Sequence, residues 1–163
     1  MISAPSVKAT DDVAVGMGQA AFAREPTRLT TILGSCIAVT MYSPRRRLGM
    51  LSHVVLPQSK GSTSNPAKFA DTAVPHMLST LRSQGVEPRE LTAKLVGGAC
   101  MFGNGVCAQI GASNAQAVVQ ALEAAGIRIA GRDVNGTSGR RICFDLATGC
   151  ITITSVGHPS QTI

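Results

Sequence analysis

The stretch TTILGSCIAVTMYSPRRRLGMLSHVVLP, residues 30–57, sets runs of apolar and β-branched residues on either side of a Ser43-Pro44 turn that carries Arg45, Arg46 and Arg47. Leu29 to Leu33, Ile37 to Tyr42 and Leu48 to Leu56 are rich in Ile, Leu, Val and Thr, which suit a pleated, half-buried surface. The pattern predicts a strand, a break at Gly34-Ser35, a second strand, a charged turn and a third strand. This hairpin-like unit carries Cys36 at its first break and His53 in its last strand.

On the N-terminal side, residues 1–12 read as a loose tail. Val13 to Phe22 (VAVGMGQAAF) reads as a glycine-interrupted first strand, and Arg24 to Arg28 as a turn around Pro26. On the C-terminal side, Ser59 to Pro66 is a polar loop. From Ala67 the apolar positions Phe69, Ala73, Val74, Met77, Leu78 and Leu81 recur at helical spacing until Gly85, and Pro75 predicts either a kink within that helix or a helix that begins nearer the proline. Leu91 to Val96 is a strand leading into Gly97-Gly98-Ala99. Ser113-Asn114-Ala115-Gln116 fits a capping box before an apolar stripe, Ala117, Val118, Ala121, Leu122 and Ala125, that stops at Gly126. Strands Ile127 to Ala130, Arg140 to Leu146 and Cys150 to Ser155 follow, the last two joined through Ala147-Thr148-Gly149, and residues 156–163 read as a second loose tail. Strands at both ends, two helices between them and no strict βαβ alternation favour an α+β fold.

Totals narrow the function class. With 163 residues, the chain has the size of one domain with a real core. Hydrophobic residues make up 44% and aromatic residues only 3%, so that core is built from Val, Ile, Leu, Ala and Met. No apolar run approaches a membrane span, and MISAPSVKATDD lacks the order of a secretory signal, so the expected location is cytoplasmic. The five cysteines, Cys36, Cys100, Cys107, Cys143 and Cys150, form no CxxC pair, which points to reduced thiols rather than a disulfide framework or a zinc site. A net charge of +6 favours an acidic partner or simply a solvated basic surface. No aromatic ladder or recognition-helix pattern accompanies that charge, so no nucleic-acid partner is expected.

Cys36 has two readings. A cysteine behind Gly-Ser is often a small buried filler. It is a nucleophile when a nearby imidazole or turn N–H groups favour the thiolate, and Gly34-Ser35 suits a turn whose N–H groups receive a developing oxyanion. His53 lies in LSHVVLP, where alternation places Leu51, His53 and Val55 on one face. It is either a core histidine bonded to backbone or, with an ordinary pKa near 6.5, a base able to take a thiol proton and return it to a leaving amine. Thr30 is either a strand former or a hydrogen-bond partner for that imidazole. His76, His158 and the remaining cysteines read as surface or packing residues. Gly103-Asn104-Gly105-Val106-Cys107-Ala108 imitates a dinucleotide fingerprint, but the helix expected only near Ser113 argues against it, and Ser59 to Thr63 lacks P-loop spacing.

Leu33-Gly34-Ser35-Cys36-Ile37-Ala38-Val39 followed by Gly49 to Pro57 (GMLSHVVLP) resembles the signature of the CheD family of chemoreceptor glutamine deamidases. Similar blocks follow in order: Lys68 to Pro75, Ala93 to Ala99 with Met101-Phe102, Ile110-Gly111 with Asn114, and Asp133 to Arg140. The resemblance covers nearly the whole span from Val13 to Ile153.

It implies hydrolysis of glutamine side-chain amides to glutamate on the cytoplasmic helices of methyl-accepting chemotaxis receptors, with no cofactor and no metal. By position it implies Cys36 as nucleophile, His53 as general base and acid, and Thr30 as the residue supporting the imidazole; the Gly34-Ser35 turn, read from its residues, is the substrate-binding backbone. Thr31 is an adjacent competitor for the third role. Ile32 stands where the family usually has a small residue. The implied fold is a β-sandwich-like α+β domain with two main helices on one face, of the toxin-type cysteine deamidase kind. The implied setting is the cytoplasm, at receptor arrays, without membrane insertion. A CheC-type response-regulator phosphatase is the further partner implied, and a non-catalytic adaptor for receptors or that phosphatase is the alternative function.

Overall fold

A computed structural model describes residues 10–163 apart from Thr63 and Asn104. Two five-stranded sheets and two helices make three layers. Sheet A runs in the order β1-β3-β8-β9-β10 and sheet B in the order β2-β5-β4-β6-β7. Their strands are β1 (Asp12–Ala14), β2 (Ala20–Arg24), β3 (Arg28–Leu33), β4 (Ile37–Ser43), β5 (Leu48–Val54), β6 (Thr92–Gly97), β7 (Arg128–Val134), β8 (Arg140–Asp145), β9 (Ile151–Thr154) and β10 (Gln161–Thr162). The helices are α1 (Ala70–Ser83) and α2 (Val106–Ala124).

The fully buried hairpin β4–β5 is the spine of the molecule. Because side chains alternate across a strand, it builds two cores at once. Ile37, Val39 and Met41 of β4, with Leu48, Met50 and Val54 of β5, face α1 and α2 and pack on Val74, Met77, Leu81, Val118 and Leu122. Ala38, Tyr42 and Leu51 face the other way, onto Leu29, Leu33, Ile142 and Phe144 of sheet A. Tyr42 ties the sheets together: its ring meets Phe144 edge-on with centroids 5.9 Å apart, and its hydroxyl donates to the Leu146 carbonyl at 3.1 Å. Each fully buried Leu, Ile or Met stabilises the fold by roughly 1.5–3 kcal/mol relative to exposure.

The α+β class is as expected, with both helices on one face of sheet B. Several boundaries differ. The expected first strand is two strands in different sheets: β1 pairs in parallel with β3, β2 pairs antiparallel with β5, and Gly18, at φ 69°, turns the chain between them. Leu29 to Leu33 likewise leaves the hairpin unit for sheet A, so Gly34-Ser35-Cys36 is the place where the chain crosses from one sheet to the other. The capping box at Ser113 is not a helix start. Helix α2 begins at Val106 and residues 113–116 lie inside it, with Asn114 turned inward. The small residues of its first turns hid the apolar rhythm, and the helix follows Gly105 directly rather than starting near Ser113.

Strand β7 extends well past Ala130 and pairs in parallel with β6 through α2, one βαβ crossover that the strand-then-helix reading missed. Residues 156–163 do not form a loose tail: β10 adds to the edge of sheet A, and Ile151 and Ile163 exchange backbone hydrogen bonds at 2.9 and 3.0 Å. Helix α1 runs through Pro75 without a break in its second turn. Of the N-terminal segment read as a tail, residues 1–9 lie outside the described residues, and Asp12 already belongs to β1.

Candidate active site

Cys36 ends the bend between sheets, and every carbonyl of that bend is tied back into the protein. Ala99 N–H donates to the Gly34 carbonyl at 2.9 Å and Gly98 N–H to the Cys36 carbonyl at 2.8 Å. The Ser35 carbonyl accepts from Asn114 Nδ2 at 3.2 Å, and the same Nδ2 donates to the Val55 carbonyl at 3.0 Å. Gly97, at φ 120°, lets the β6 backbone come this close: a Cβ there would run into the Cys36 carbonyl oxygen. The same bend carries the Gly34, Ser35 and Cys36 N–H groups. Among the described residues these three N–H groups have no acceptor.

His53 stands on β5 with its Cα opposite Ala38 on β4. Cys36 is two residues before Ala38, so both side chains belong to the inter-sheet layer; diagonal neighbours of this kind are about 7–8 Å apart between Cα atoms, within side-chain reach. Cys36 is 8% exposed and His53 2%. His53 Nδ1 is 2.8 Å from Thr31 Oγ1, and Thr31 Oγ1 donates to the Val15 carbonyl at 2.6 Å. His53 Nε2 is buried with no hydrogen-bond partner among the described residues.

The imidazole's partner is therefore Thr31, not Thr30. Alternation along β3 decides it: Leu29, Thr31 and Leu33 are buried against sheet B, while Thr30 and Ile32 take the outer face. The sequence reading rested on position relative to Cys36, and position without side-chain direction cannot separate adjacent threonines. Asn114 is the residue that sequence reasoning undervalued. A wholly buried asparagine with a mid-helix address, its Oδ1 also unpartnered, is a signal only once the helix boundaries are known.

Burial pushes the Cys36 thiol above its ordinary 9.0. Burial also pulls the His53 imidazole below its ordinary 6.5, partly opposed by the Val15 carbonyl. Desolvation disfavours the charged form of both groups, so at neutral pH the pair rests as thiol and neutral imidazole rather than as an ion pair.

A cleft of about 340 Å³ reaches His53 and Thr31 from outside between Val15, Met17, Thr30 and Ile32. A second cleft, of about 530 Å³, shares Ile32 and Arg141 with the first and continues past Met101 to Val156. Ile32 is 64% exposed and adds to the rim without entering the core. Met101 Sδ sits against Gly34, and Phe102 beside it is 82% exposed.

Of the other residues singled out from sequence, His76 and His158 lie away from the Cys36 bend, His158 near Ser138 at 3.5 Å. Cys100, Cys143 and Cys150 are free and half-buried, while the side chain of Cys107 lies outside the described set. Among the described residues no His, Cys, Asp and Glu cluster suited to a metal is present, and no helix is long and apolar enough to cross a membrane.

The family model described as CheD chemotactic sensory transduction matches residues 55–155. The "Probable chemoreceptor glutamine deamidase CheD" of Desulforamulus reducens is 39% identical, over 96% of this chain and 98% of that protein, a span that takes in the Cys36 bend and His53. The chain belongs to the CheD family. Other CheD relatives include the "Chemoreceptor glutamine deamidase CheD" of Thermotoga maritima, 38% identical over 90% of this chain and 94% of that one. A third is from Methanococcus maripaludis, 38% identical over 85% and 92%. Among solved structures, the Bacillus licheniformis hypothetical protein YfiH aligns with a TM-score of 0.43 and 14% identity over 72% of this chain and 49% of that one.

Proposed function

We propose that this CheD protein hydrolyses glutamine side-chain amides of chemoreceptors to glutamate and ammonia, with Cys36 as nucleophile and His53 as proton carrier. The observation that carries the mechanism is the buried, unpartnered Nε2 of His53 on the same inter-sheet face as Cys36. A wholly buried imidazole nitrogen without a partner is costly in a merely structural site, whereas a base needs its lone pair free.

The Cys36 sulfur attacks the carboxamide carbon as its proton passes to Nε2, which avoids prior formation of a thiolate that burial disfavours. The carbonyl oxygen becomes an oxyanion and is received by the N–H groups of the Gly34–Cys36 bend, whose carbonyls are anchored. The imidazolium then protonates the departing nitrogen, ammonia leaves and a thioester remains. Water, giving a proton to Nε2, attacks the thioester; the C–S bond breaks, sulfur recovers the proton and glutamate is released. The sum is amide plus water to carboxylic acid plus ammonia.

Exposed Ile32, Met101 and Phe102 around the bend support a protein substrate rather than a free small molecule, since they offer an apolar rim to a packed partner surface. The net charge of +6 supports acidic receptor helices. Purified receptor cytoplasmic fragment incubated with the protein is expected to show Gln-to-Glu conversion by peptide mass spectrometry, abolished by Cys36→Ala. Equal conversion by both proteins removes the mechanism. An adaptor toward receptors or a CheC-type phosphatase would use the same rim. That role predicts cellular function that survives Cys36→Ala and is lost with Phe102→Glu.

A further inference from the structure

We infer that Arg140 is the positioning residue that holds the Cys36 bend in shape for catalysis, through a turn and a backbone segment that its guanidinium ties together. The inference rests on the catalytic reading above only for its kinetic part.

The Arg140 side chain is 9% exposed, and all five of its N–H donors are used. Nε and Nη2 each reach a carboxylate oxygen of Asp133 at 3.2 Å, the planar two-bond pairing that arginine offers and lysine does not. Nη2 also donates to the Asn135 carbonyl at 2.8 Å, and Nη1 to the carbonyls of Ser138 at 3.3 Å and Gly97 at 3.5 Å. Gln161 of β10 donates to Asp133 Oδ2 at 2.8 Å, so the carboxylate has a second partner from another strand. A pair this deep adds little net stability, since desolvating both charges offsets most of their attraction. Its effect is directional: one rigid group sets three carbonyls relative to one another.

Those carbonyls lead to the bend. The turn after β7 holds the end of β6 at two points: Asn135 N–H donates to the Gly97 carbonyl at 2.8 Å, and Cys100 N–H to the Gly136 carbonyl at 2.8 Å. Between these points lie Gly98 and Ala99, whose N–H groups hold the Cys36 and Gly34 carbonyls. The bend therefore hangs from the turn that Arg140 closes. That turn needs closing, because Asn135, at φ 69°, sits in the left-handed region that residues other than glycine adopt at a cost. Arg140 also meets the bend through its main chain, since it lies opposite Leu33, the residue before Gly34, in the β3–β8 ladder. Asn114 anchors the bend from the helix layer, and Arg140 is its counterpart from sheet A.

A polar cleft of about 450 Å³ opens on Arg140 and Asp133, and through it a free guanidinium ion can reach the space that Arg140→Ala would vacate. Full-length wild type and variants are compared by steady-state kinetics on receptor cytoplasmic fragment and by peptide-resolved hydrogen exchange. Arg140→Ala is expected to lower kcat on the order of 10- to 100-fold with KM little changed, because a small misplacement of the reacting groups is enough for that. The amides of Gly98 and Ala99 should exchange faster in this variant, while those of α1 keep wild-type rates. Guanidinium chloride well below its denaturing range should restore both signals, and methylammonium neither. Arg140→Lys should behave like Arg140→Ala. If Arg140→Ala unfolds the chain, Arg140→Lys carries the test beside Asp133→Asn, which leaves the carbonyl bonds of Arg140 in place and should lose less rate than Arg140→Lys. The inference is overturned by wild-type kcat in Arg140→Lys, or by a raised KM with kcat kept, which would put Arg140 on the substrate. Rescue by methylammonium, unchanged exchange at Gly98 and Ala99, or faster exchange throughout with α1 included would overturn it too. Exchange that follows Arg140 in a chain whose wild type shows no deamidation would sink the proposed reaction and leave the positioning role standing.

Discussion

The two faces of the β4–β5 hairpin have the same backbone, the same neighbours in sequence and near-equal burial, yet they do different work. The helix-facing side is almost wholly aliphatic, and its two hydroxyls are Ser52, bonded to the Ala67 carbonyl at 3.1 Å, and Ser43, buried without a partner among the described residues. The sheet-facing side gathers Cys36, His53 and, from across the layer, Thr31. Apolar burial tolerates many arrangements of the same volume, whereas a polar constellation inside a core needs each donor and acceptor placed. One face of the hairpin therefore contributes stability, and the other uses that stability to hold a site that would not hold itself.

Activity and stability are therefore expected to separate by face. The largest effect is expected from Cys36→Ala, with deamidation of receptor fragment reduced by roughly 10³-fold or more while the urea midpoint changes little, because a small buried side chain is exchanged for a smaller one. On the other face, Met77→Ala should cost about 2–5 kcal/mol in chemical denaturation with kcat of the remaining folded protein unchanged. Comparable losses of activity per folded molecule would break the comparison.

Asn114 sharpens it, because this residue joins the helix layer to the bend. Asn114→Ala orphans the Ser35 and Val55 carbonyls and should destabilise by about 1–3 kcal/mol while lowering kcat more than it raises KM, which paired thermal unfolding and steady-state kinetics would reveal. Equal kcat to wild type would show that the bend keeps its shape without this anchor.

Of the two faces of the hairpin, the sheet-facing one carries the pH dependence of His53 and Cys36. His53 in the folded protein titrates below 6.5, so the unfolded chain binds more protons there; stability is complete above that value and is lost as pH falls through the folded pKa. Cys36 acts in the opposite sense: its folded pKa lies above 9.0, and its contribution is present below 9.0 and lost as pH rises through the folded value. Urea midpoints measured from about pH 5 to pH 8 should therefore fall on the acid side in wild type, and less steeply in His53→Gln. The smallest effect is expected at the rim: Ile32→Thr, on the exposed face of β3, should alter stability by no more than about 0.5 kcal/mol in the same denaturation assay.

Much of this was legible before folding. The hairpin was plain from the apolar runs on either side of the Pro44–Arg47 turn, and a helix between Ala67 and Gly85 from its spacing, which the structure narrows to Ala70–Ser83. Cys36 and His53 each kept two readings in their local sequence, and it was the family resemblance that singled them out. The pairing of Val13 and Phe22 with different sheets was not legible, since a turn glycine and a strand-breaking glycine look alike in one dimension. The start of α2 was hidden by Gly, Cys and Ala, which carry little amphipathic signal, and the strand β10 by a Gly157-Pro159 segment that reads as coil.

The amino-acid order by itself determined which side chains share a face, because strand periodicity is a property of local covalent geometry, and it thereby put a thiol and an imidazole on one side of a buried hairpin. Only tertiary structure decided between Thr30 and Thr31, gave Asn114 its place behind the bend, and left Nε2 as the nitrogen without a partner. Those outcomes depend on which strand of the opposite sheet lies across the layer and on the depth at which it sits, and such distances between remote segments are set when the layers pack.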